Sequence, residues 1–288
     1  MAVGLAAGTG SAHAATATCQ TPTQFGGSPA GLTVQRLDPG QSVDSPGKDQ
    51  TMQGGLPGQN PVTRLVMQAD GNLVVYLLKD DGSQGPAIWS SGTWGNPGAY
   101  AVSQTDGNFV VYKQGGGTST GGALWSSQTW GGNNSARMLA DGQLYVPTVN
   151  GIGWTSGTGE VGSQYCPETS VQPGQDPTAL GYVNRGQWAQ SPNAWLVMQY
   201  DGNLVVYRKR DSAAIWSSGT AGSGGTVAAM QNDGNLVISK PYSPDVWATG
   251  TYGNPGARAV FQTDSNLVVY RKDGAALWAT GTWQAANQ

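Results

Sequence analysis

Histidine, cysteine and charge are all scarce in this chain. Of its 288 residues, 11 % are charged, against roughly 25 % in an average globular protein. The single His13 lies in a leader-like stretch, so the chain beyond it carries no imidazole. That absence removes histidine general bases, Ser-His-Asp and Cys-His nucleophile arrangements, and histidine metal ligands together. Only 14 basic residues and a net charge of −3 leave no phosphate-tracking surface, which argues against a nucleic-acid partner. The longest apolar stretch, Met1 to Gly8, is well short of the roughly 20 residues of a membrane span.

That apolar stretch leads into Ser11-Ala12-His13-Ala14-Ala15, which has the small-x-small form of a signal-peptidase site. The expectation is a secreted protein, cleaved after Ala14, although the charged segment that opens such leaders is missing. Two cysteines fit an oxidising compartment. Cys19 and Cys166 each stand in a Pro/Gln/Thr-rich segment ahead of a more regular region. A disulfide and a pair of free thiols are both open for them, with the disulfide the favoured reading.

What the chain has in excess is glycine, 45 residues, and a repeated phrase. Gln68-Ala69-Asp70-Gly71-Asn72-Leu73-Val74-Val75-Tyr76 recurs from Gln104 to Tyr112, from Gln199 to Tyr207 and, with Ser265 for glycine, from Gln262 to Tyr270. A fifth copy runs from Gln231 to Ser239. A sixth, Leu139 to Pro147, keeps the spacing with most letters changed. Three copies precede a long gap and three follow it, so two groups of three units organise the chain. Each unit carries a tryptophan behind the motif: Trp89, Trp125, Trp154, Trp216, Trp247 and Trp278. One large aromatic at a fixed place in every unit reads as a core anchor, with three rings meeting on a threefold axis, rather than as a ligand platform.

Short runs of β-branched and aromatic residues alternate with Gly, Asn, Asp and Pro, and no window has sustained helical periodicity, so the chain reads as all-β. If the nine-residue motif were one straight strand, Gln68 and Tyr76 would stand about 26 Å apart and could not share a small ligand. A hairpin with a three-residue loop, Ala69-Asp70-Gly71, brings them together and puts Gly71 in the left-handed position such loops favour. Period-2 alternation then places Gln68, Asn72, Val74 and Tyr76 on one face and Met67, Leu73 and Val75 on the other. The degenerate copy keeps the oily face as Met138, Leu144 and Val146 and loses the polar one to Leu139, Gln143, Tyr145 and Pro147. Folding needs the first set, and binding accounts for the second.

Amides, one carboxylate and a phenol both donate and accept hydrogen bonds, which suits vicinal hydroxyls, and valine offers a patch for the C–H face of a sugar ring. A phosphate would call for Arg or Lys and a calcium ion for more carboxylates. One carboxylate per site argues against glycoside hydrolysis, which ordinarily uses a pair roughly 5 to 9.5 Å apart. The expectation is a saccharide-binding protein that is not an enzyme and uses neither metal nor cofactor.

At these residues the sequence resembles the monocot mannose-binding, or bulb-type, lectins, whose signature is Gln-x-Asp-x-Asn-x-Val-x-Tyr. The resemblance implies two tandem β-prism II domains, each of three antiparallel four-stranded sheets around a pseudo-threefold axis lined by the tryptophans. It also implies metal-independent mannose sites at Gln68, Asp70, Asn72, Val74, Tyr76; Gln104, Asp106, Asn108, Val110, Tyr112; Gln199, Asp201, Asn203, Val205, Tyr207; and Gln262, Asp264, Asn266, Val268, Tyr270. Asp and Asn would bind the 2-hydroxyl of mannose, Gln the 3-hydroxyl and Tyr the 4-hydroxyl, with Val against the ring carbons. Gln231, Asp233, Asn235 and Val237 form a weaker site because Ser239 stands for Tyr, and the copy at 139 to 147, retaining only Asp141, is silent.

The domains expected are a residual signal peptide at 1–14, an N-terminal segment at 15–30, lectin domains at 31–162 and 179–288, and a linker at 163–178. A loop insertion between Gly40 and Arg64 distinguishes the first domain, and Ser265, less suited to a left-handed turn, is expected to alter its loop. The family exchanges terminal strands between domains or in dimers, which points to the segments Gly157 to Val161 and Thr282 to Ala286. Tandem members also resemble lectin-like bacteriocins, which kill related bacteria after binding a rhamnose- or mannose-containing surface polysaccharide. That is the alternative to plain binding of mannose-containing glycans.

Overall fold

The computed structural model describes residues 31–44, 62–131, 135–139, 141–148, 153–160 and 179–288. Cys19, Cys166, the leader, the 15–30 segment, the 163–178 linker and most of the Gly40 to Arg64 insertion lie outside the described residues. The described chain forms six antiparallel four-stranded sheets and one short helix. Three sheets come from the first half: Ser42–Asp44, Thr63–Met67, Leu73–Leu78 and Gln84–Ser90; Arg36–Leu37, Tyr100–Ser103, Phe109–Gly117 and Gly121–Ser126; and Gly31–Val34, Ala136–Leu139, Leu144–Val146 and Trp154–Thr155. The second half repeats the plan with Trp188–Gln190, Ala194–Met198, Leu204–Arg208 and Ala214–Ser217; Tyr182–Asn184, Val227–Met230, Leu236–Ser239 and Trp247–Ala248; and Ala179–Leu180, Arg258–Phe261, Leu267–Tyr270 and Ala276–Ala279. This is the expected pair of β-prisms.

Each half opens with three short strands, one for each sheet, laid down in the reverse of the order in which the repeats complete the sheets. The opening strand therefore pairs with the last repeat, Gly31 with Leu139 and Ala179 with Val260, and closes the prism on itself. All four strands of every sheet come from one half of the chain. The halves meet through other contacts. Glu160 forms a parallel bridge with Trp188, the Trp188 indole N–H donates to Thr158 O at 2.8 Å, and the Tyr200 hydroxyl donates to Ser156 O at 2.6 Å. Trp188 and Trp195, at 0 % and 1 % exposure, join the core of the first half.

The oily face of the repeat is the core. Met67, Leu73 and Val75 are fully buried, and so are Met138, Leu144 and Val146 of the degenerate copy. The six tryptophans meet in two triads. Trp89, Trp125 and Trp154 have ring centroids 5.0 to 5.5 Å apart, and Trp216, Trp247 and Trp278 5.6 to 5.9 Å apart, all edge to face. Edge-to-face contact sets the positive ring edge against the negative face, worth about 0.5–1.5 kcal/mol per pair beyond burial. A threefold arrangement satisfies it three times at once.

Two expectations change. The segment after the last tryptophan is not a strand: Trp283–Asn287 is a helix, with Ala286 buried in the second core and Ala285 O accepting from Arg208. Its Gln-Ala-Ala sequence is strongly helix-favouring. The Ser265 loop does not differ from the others. Ser265 adopts φ +73, its N–H reaches Gln262 O at 2.9 Å, and its hydroxyl meets that of Ser191 at 2.7 Å. Elsewhere the turn has no such room: a Cβ on Gly71 would sit 2.1 Å from Asn96 O.

Gly71→Ala is therefore expected to destabilise far more than Gly92→Ala, whose left-handed glycine faces open space. Both substitutions carry the left-handed cost of about 1–2 kcal/mol, and only the first adds a backbone clash. Urea unfolding of the two variants gives the comparison; equal midpoints would remove the close approach from the account.

Candidate functional site

The motif folds as the hairpin its spacing requires. Gln68 N–H donates to Asn72 O at 2.9 Å, Gly71 N–H to Gln68 O at 3.1 Å, and Gly71 takes φ +93. Beyond the turn, Met67 pairs with Leu73 and Arg64 with Tyr76. Folding the motif back brings its ends into contact: Gln68 Nε2 donates to Tyr76 OH at 2.6 Å. The same bond joins Gln104 to Tyr112 at 2.6 Å, Gln199 to Tyr207 at 2.8 Å and Gln262 to Tyr270 at 2.7 Å. Because the phenol oxygen accepts from the amide, its own proton is left to point elsewhere, and the Gln Oε1 remains an acceptor.

The aspartate is used on one side only. Asp70 Oδ1 accepts from Asn72 N–H at 3.0 Å, as Asp106, Asp201 and Asp264 do from Asn108, Asn203 and Asn266. Asn72 is held from behind by the small polar tail that follows Trp89. Its Oδ1 accepts from Ser91 Oγ at 3.2 Å and Thr93 N–H at 3.1 Å, while Thr93 Oγ1 donates to Gly71 O at 2.6 Å. A backbone N–H can only donate, so the oxygen of the amide must face the tail and Nδ2 faces outward. The presented set is one carboxylate oxygen, one amide N–H₂, one amide oxygen and one phenol O–H.

Exposure grades the sites. Asp70, Asp106, Asp201 and Asp264 are exposed and their Gln partners half-buried, whereas Asn108 and Tyr112 are only 5 % and 6 % exposed. Tyr100, whose ring lies 5.9 Å from that of Tyr112, makes this second copy the most covered. Val74, Val110, Val205 and Val268 are at most 3 % exposed, so polar atoms rather than valine dominate what the hairpin presents. Burial pushes the Tyr76 phenol above its ordinary pKa, helped by the nearby Asp70 charge and opposed by the Gln68 bond. Burial raises Tyr207 likewise, with Asp201 adding to it and Gln199 opposing. Both stay neutral donors through the physiological range.

The two remaining copies depart in different ways. In the copy at 139 to 147, Gln143 Nε2 donates to Asp141 Oδ2 at 2.7 Å, so the carboxylate is consumed on both oxygens, and Gln143 Oε1 is taken by Thr155. The turn itself survives there, with Thr158 Oγ1 donating to Gly142 O. In the fifth copy Asp233 and Asn235 keep the intact geometry, at 2.9 Å, while Gln231 and Ser239 both turn to Asp245. Among the described residues no group of three or more His, Cys, Asp or Glu is placed to hold a metal ion, and no helix is long and apolar enough to cross a membrane.

Sequence reasoning missed three contributors. The Ser/Thr tail behind five of the six tryptophans is a clamp on the site asparagine, legible only once the hairpin is built. A second aromatic stands five residues after the core tryptophan in four units: Trp94, Trp130, Tyr252 and Trp283 are 49 to 70 % exposed. The chain next to Trp94 is fixed to the turn by Asn96 N–H on Asp70 O at 2.9 Å. Aligning the copies on tryptophan instead of on the motif reveals both these aromatics and Asp245.

No protein-family model and no curated protein matches the chain. Among solved structures, a monomeric monocot mannose-binding lectin from Gastrodia elata is 35 % identical, over 36 % of this chain and 94 % of that one, with a TM-score of 0.33. The snowdrop mannose-specific agglutinin, solved with methyl-α-D-mannoside, is 36 % identical over 35 % of this chain and 90 % of its own, with a TM-score of 0.29. A two-domain fetuin-binding lectin from Scilla campanulata is 27 % identical and covers 85 % of this chain and 94 % of its own, with a TM-score of 0.30. The first two likenesses rest on sequence identity across nearly the whole of the shorter chain. Ultraviolet titration of tyrosinate offers a check on the site geometry: Tyr76→Phe and Tyr207→Phe are expected to remove only groups ionising above the ordinary value of about 10, and loss of an ordinary phenol would contradict the burial.

Proposed function

The chain belongs to the monocot mannose-binding lectin family, and from that premise we propose that it binds mannose or mannose-containing glycans through the four intact hairpins, without metal and without converting the ligand. The observation that carries this reading is the fork formed by Gln, Tyr, Asp and Asn, built four times with the same hydrogen bonds. Vicinal hydroxyls, each a donor and an acceptor, match it. The free Asp oxygen accepts, Asn Nδ2 and the phenol donate, and Gln Oε1 accepts. Export is part of the proposal and rests on the leader-like stretch before Ala15.

Open, solvated sites of this kind are individually weak, and several on one rigid body gain about 10² or more in avidity when the target displays many ends. Branched high-mannose or mannan-type glycans are therefore the proposed targets over free mannose. The raised phenols of Tyr76 and Tyr207 keep their protons as pH climbs toward about 10, so binding at these two sites is expected to hold across neutral and mildly alkaline pH and to fall only when the phenols ionise.

Replacing Asp70, Asp106, Asp201 and Asp264 together by Asn separates fold from function. The Asn Oδ1 still accepts the turn N–H, while the outward oxygen becomes a donor. A glycan array is expected to lose mannose-containing ligands with the near-ultraviolet signal of the tryptophan triads unchanged. Retained binding would overturn the site assignment. A spot-killing assay on related bacteria, run beside the array, distinguishes plain binding from the bacteriocin alternative.

A further inference from the structure

The fifth hairpin has been rebuilt. In the four intact copies an alanine stands opposite the motif tyrosine, across a β-bulge: Ala87 pairs with Tyr76, Ala123 with Tyr112, Ala214 with Tyr207 and Ala276 with Tyr270. Each of these alanines lies two residues before the core tryptophan. In the fifth copy both partners change together. Ser239 replaces the tyrosine, and Asp245, two residues before Trp247, replaces the alanine. The large group has moved to the opposite strand.

The new side chain takes over the phenol's bonds. Ser239 Oγ donates to Asp245 Oδ1 at 2.6 Å, and Gln231 Nε2, the donor that elsewhere holds the phenol, approaches Asp245 Oδ2 at 3.4 Å. The rest of the site is intact: Asn235 N–H donates to Asp233 Oδ1, and Asn235 Oδ1 accepts from Thr249 Oγ1 and Thr251 N–H, both at 3.1 Å. Tyr252, 69 % exposed, follows Thr251, and Asn254 N–H holds the turn at Asp233 O at 2.9 Å. The turn aspartate of the fifth copy, Asp233, thus accepts within the hairpin on one oxygen only, whereas that of the degenerate copy, Asp141, accepts on both.

The exchange reverses the polarity of one corner of the site. A phenol held by the Gln amide presents a proton, whereas a carboxylate accepts only. No ion pair neutralises Asp233 or Asp245 among the described residues, and both are exposed. Two carboxylates flanking a saccharide cradle favour a ligand that donates and carries positive charge, and the exposed aromatic beside the turn suits the same cation. We propose that the fifth hairpin is a second specificity on this lectin, selecting a sugar with a free ammonium group, with Asp245 as the residue that determines it. The proposal rests on the reading of the hairpins as carbohydrate sites.

Calorimetry with the glucosamine disaccharide, its N-acetylated form and a mannose oligosaccharide tests it, using the disaccharide to avoid polycation binding to an acidic protein. In the chain carrying Asp70→Asn, Asp106→Asn, Asp201→Asn and Asp264→Asn, glucosamine binding is expected to persist at its original strength and mannose binding to vanish. Adding Asp245→Asn, to which Ser239 can still donate, is expected to weaken glucosamine binding by about tenfold or more. Asp81→Asn, which changes net charge equally at an exposed loop, leaves it unchanged. Raising the pH until the amine is neutral abolishes the preference over the N-acetylated sugar. Absent glucosamine binding, equal affinity for the N-acetylated form, or indifference to Asp245→Asn each overturns the proposal. Failure of the unmodified chain to bind the mannose oligosaccharide overturns the four-site reading instead and leaves the glucosamine outcome to stand by itself.

Discussion

One buried hydrogen bond fastens each unit: the threonine four residues after the core tryptophan donates its hydroxyl to the carbonyl of the third turn residue. It runs from Thr93 to Gly71, Thr129 to Gly107, Thr158 to Gly142, Thr220 to Gly202, Thr251 to Gly234 and Thr282 to Ser265. A polar pair enclosed in this way is costly to leave unmade, so it behaves as a fixed strut. Its near end is one short step of chain from the tryptophan on the prism axis, and its far end is the turn that carries the site aspartate. The axis therefore positions the surface. Thr282 shows the same dependence from the opposite direction, since its hydroxyl serves the turn and leaves the following helix without a side-chain cap.

The strut is present in the degenerate copy, the rebuilt copy and the four intact ones alike, which separates what folding requires from the polar set that varies. Gln143 in place of asparagine gives its amide oxygen to Thr155 rather than to Ser156 and Thr158, yet those two still hold the turn. Architecture tolerates loss of the site because the turn is held by the Ser/Thr tail and by the aspartate that this copy keeps, Asp141, while the other polar positions are free to change.

The alternation of oily and polar residues, the three-residue turn and the meeting of tryptophans were legible because each is a periodic property, repeated six times along one chain. The Gln68–Tyr76 contact was legible for the same reason, once a straight strand had been excluded by length. What escaped were partnerships between residues far apart in sequence or on different strands. Asp245 supports Gln231 and Ser239 only after the fourth strand of the sheet folds back, and the buried position of Val74 depends on packing around the hairpin. The helix at Trp283–Asn287 escaped because expectation followed the family's strand rather than the local Gln-Ala-Ala preference. Ser265 kept its loop because Ser191, 74 residues away, supplies a partner for its hydroxyl.

The reversed order of the opening strands sets the manner in which the molecule comes into being. Three short edge segments emerge first and have nothing to pair with; Gly31 waits for Leu139, and Ala179 for Val260. Contacts of such long sequence separation carry a large loop-closure cost and fold slowly. A nascent half cannot seal its prism until the third repeat has left the ribosome, and until then the edges of its sheets stay open to any passing strand.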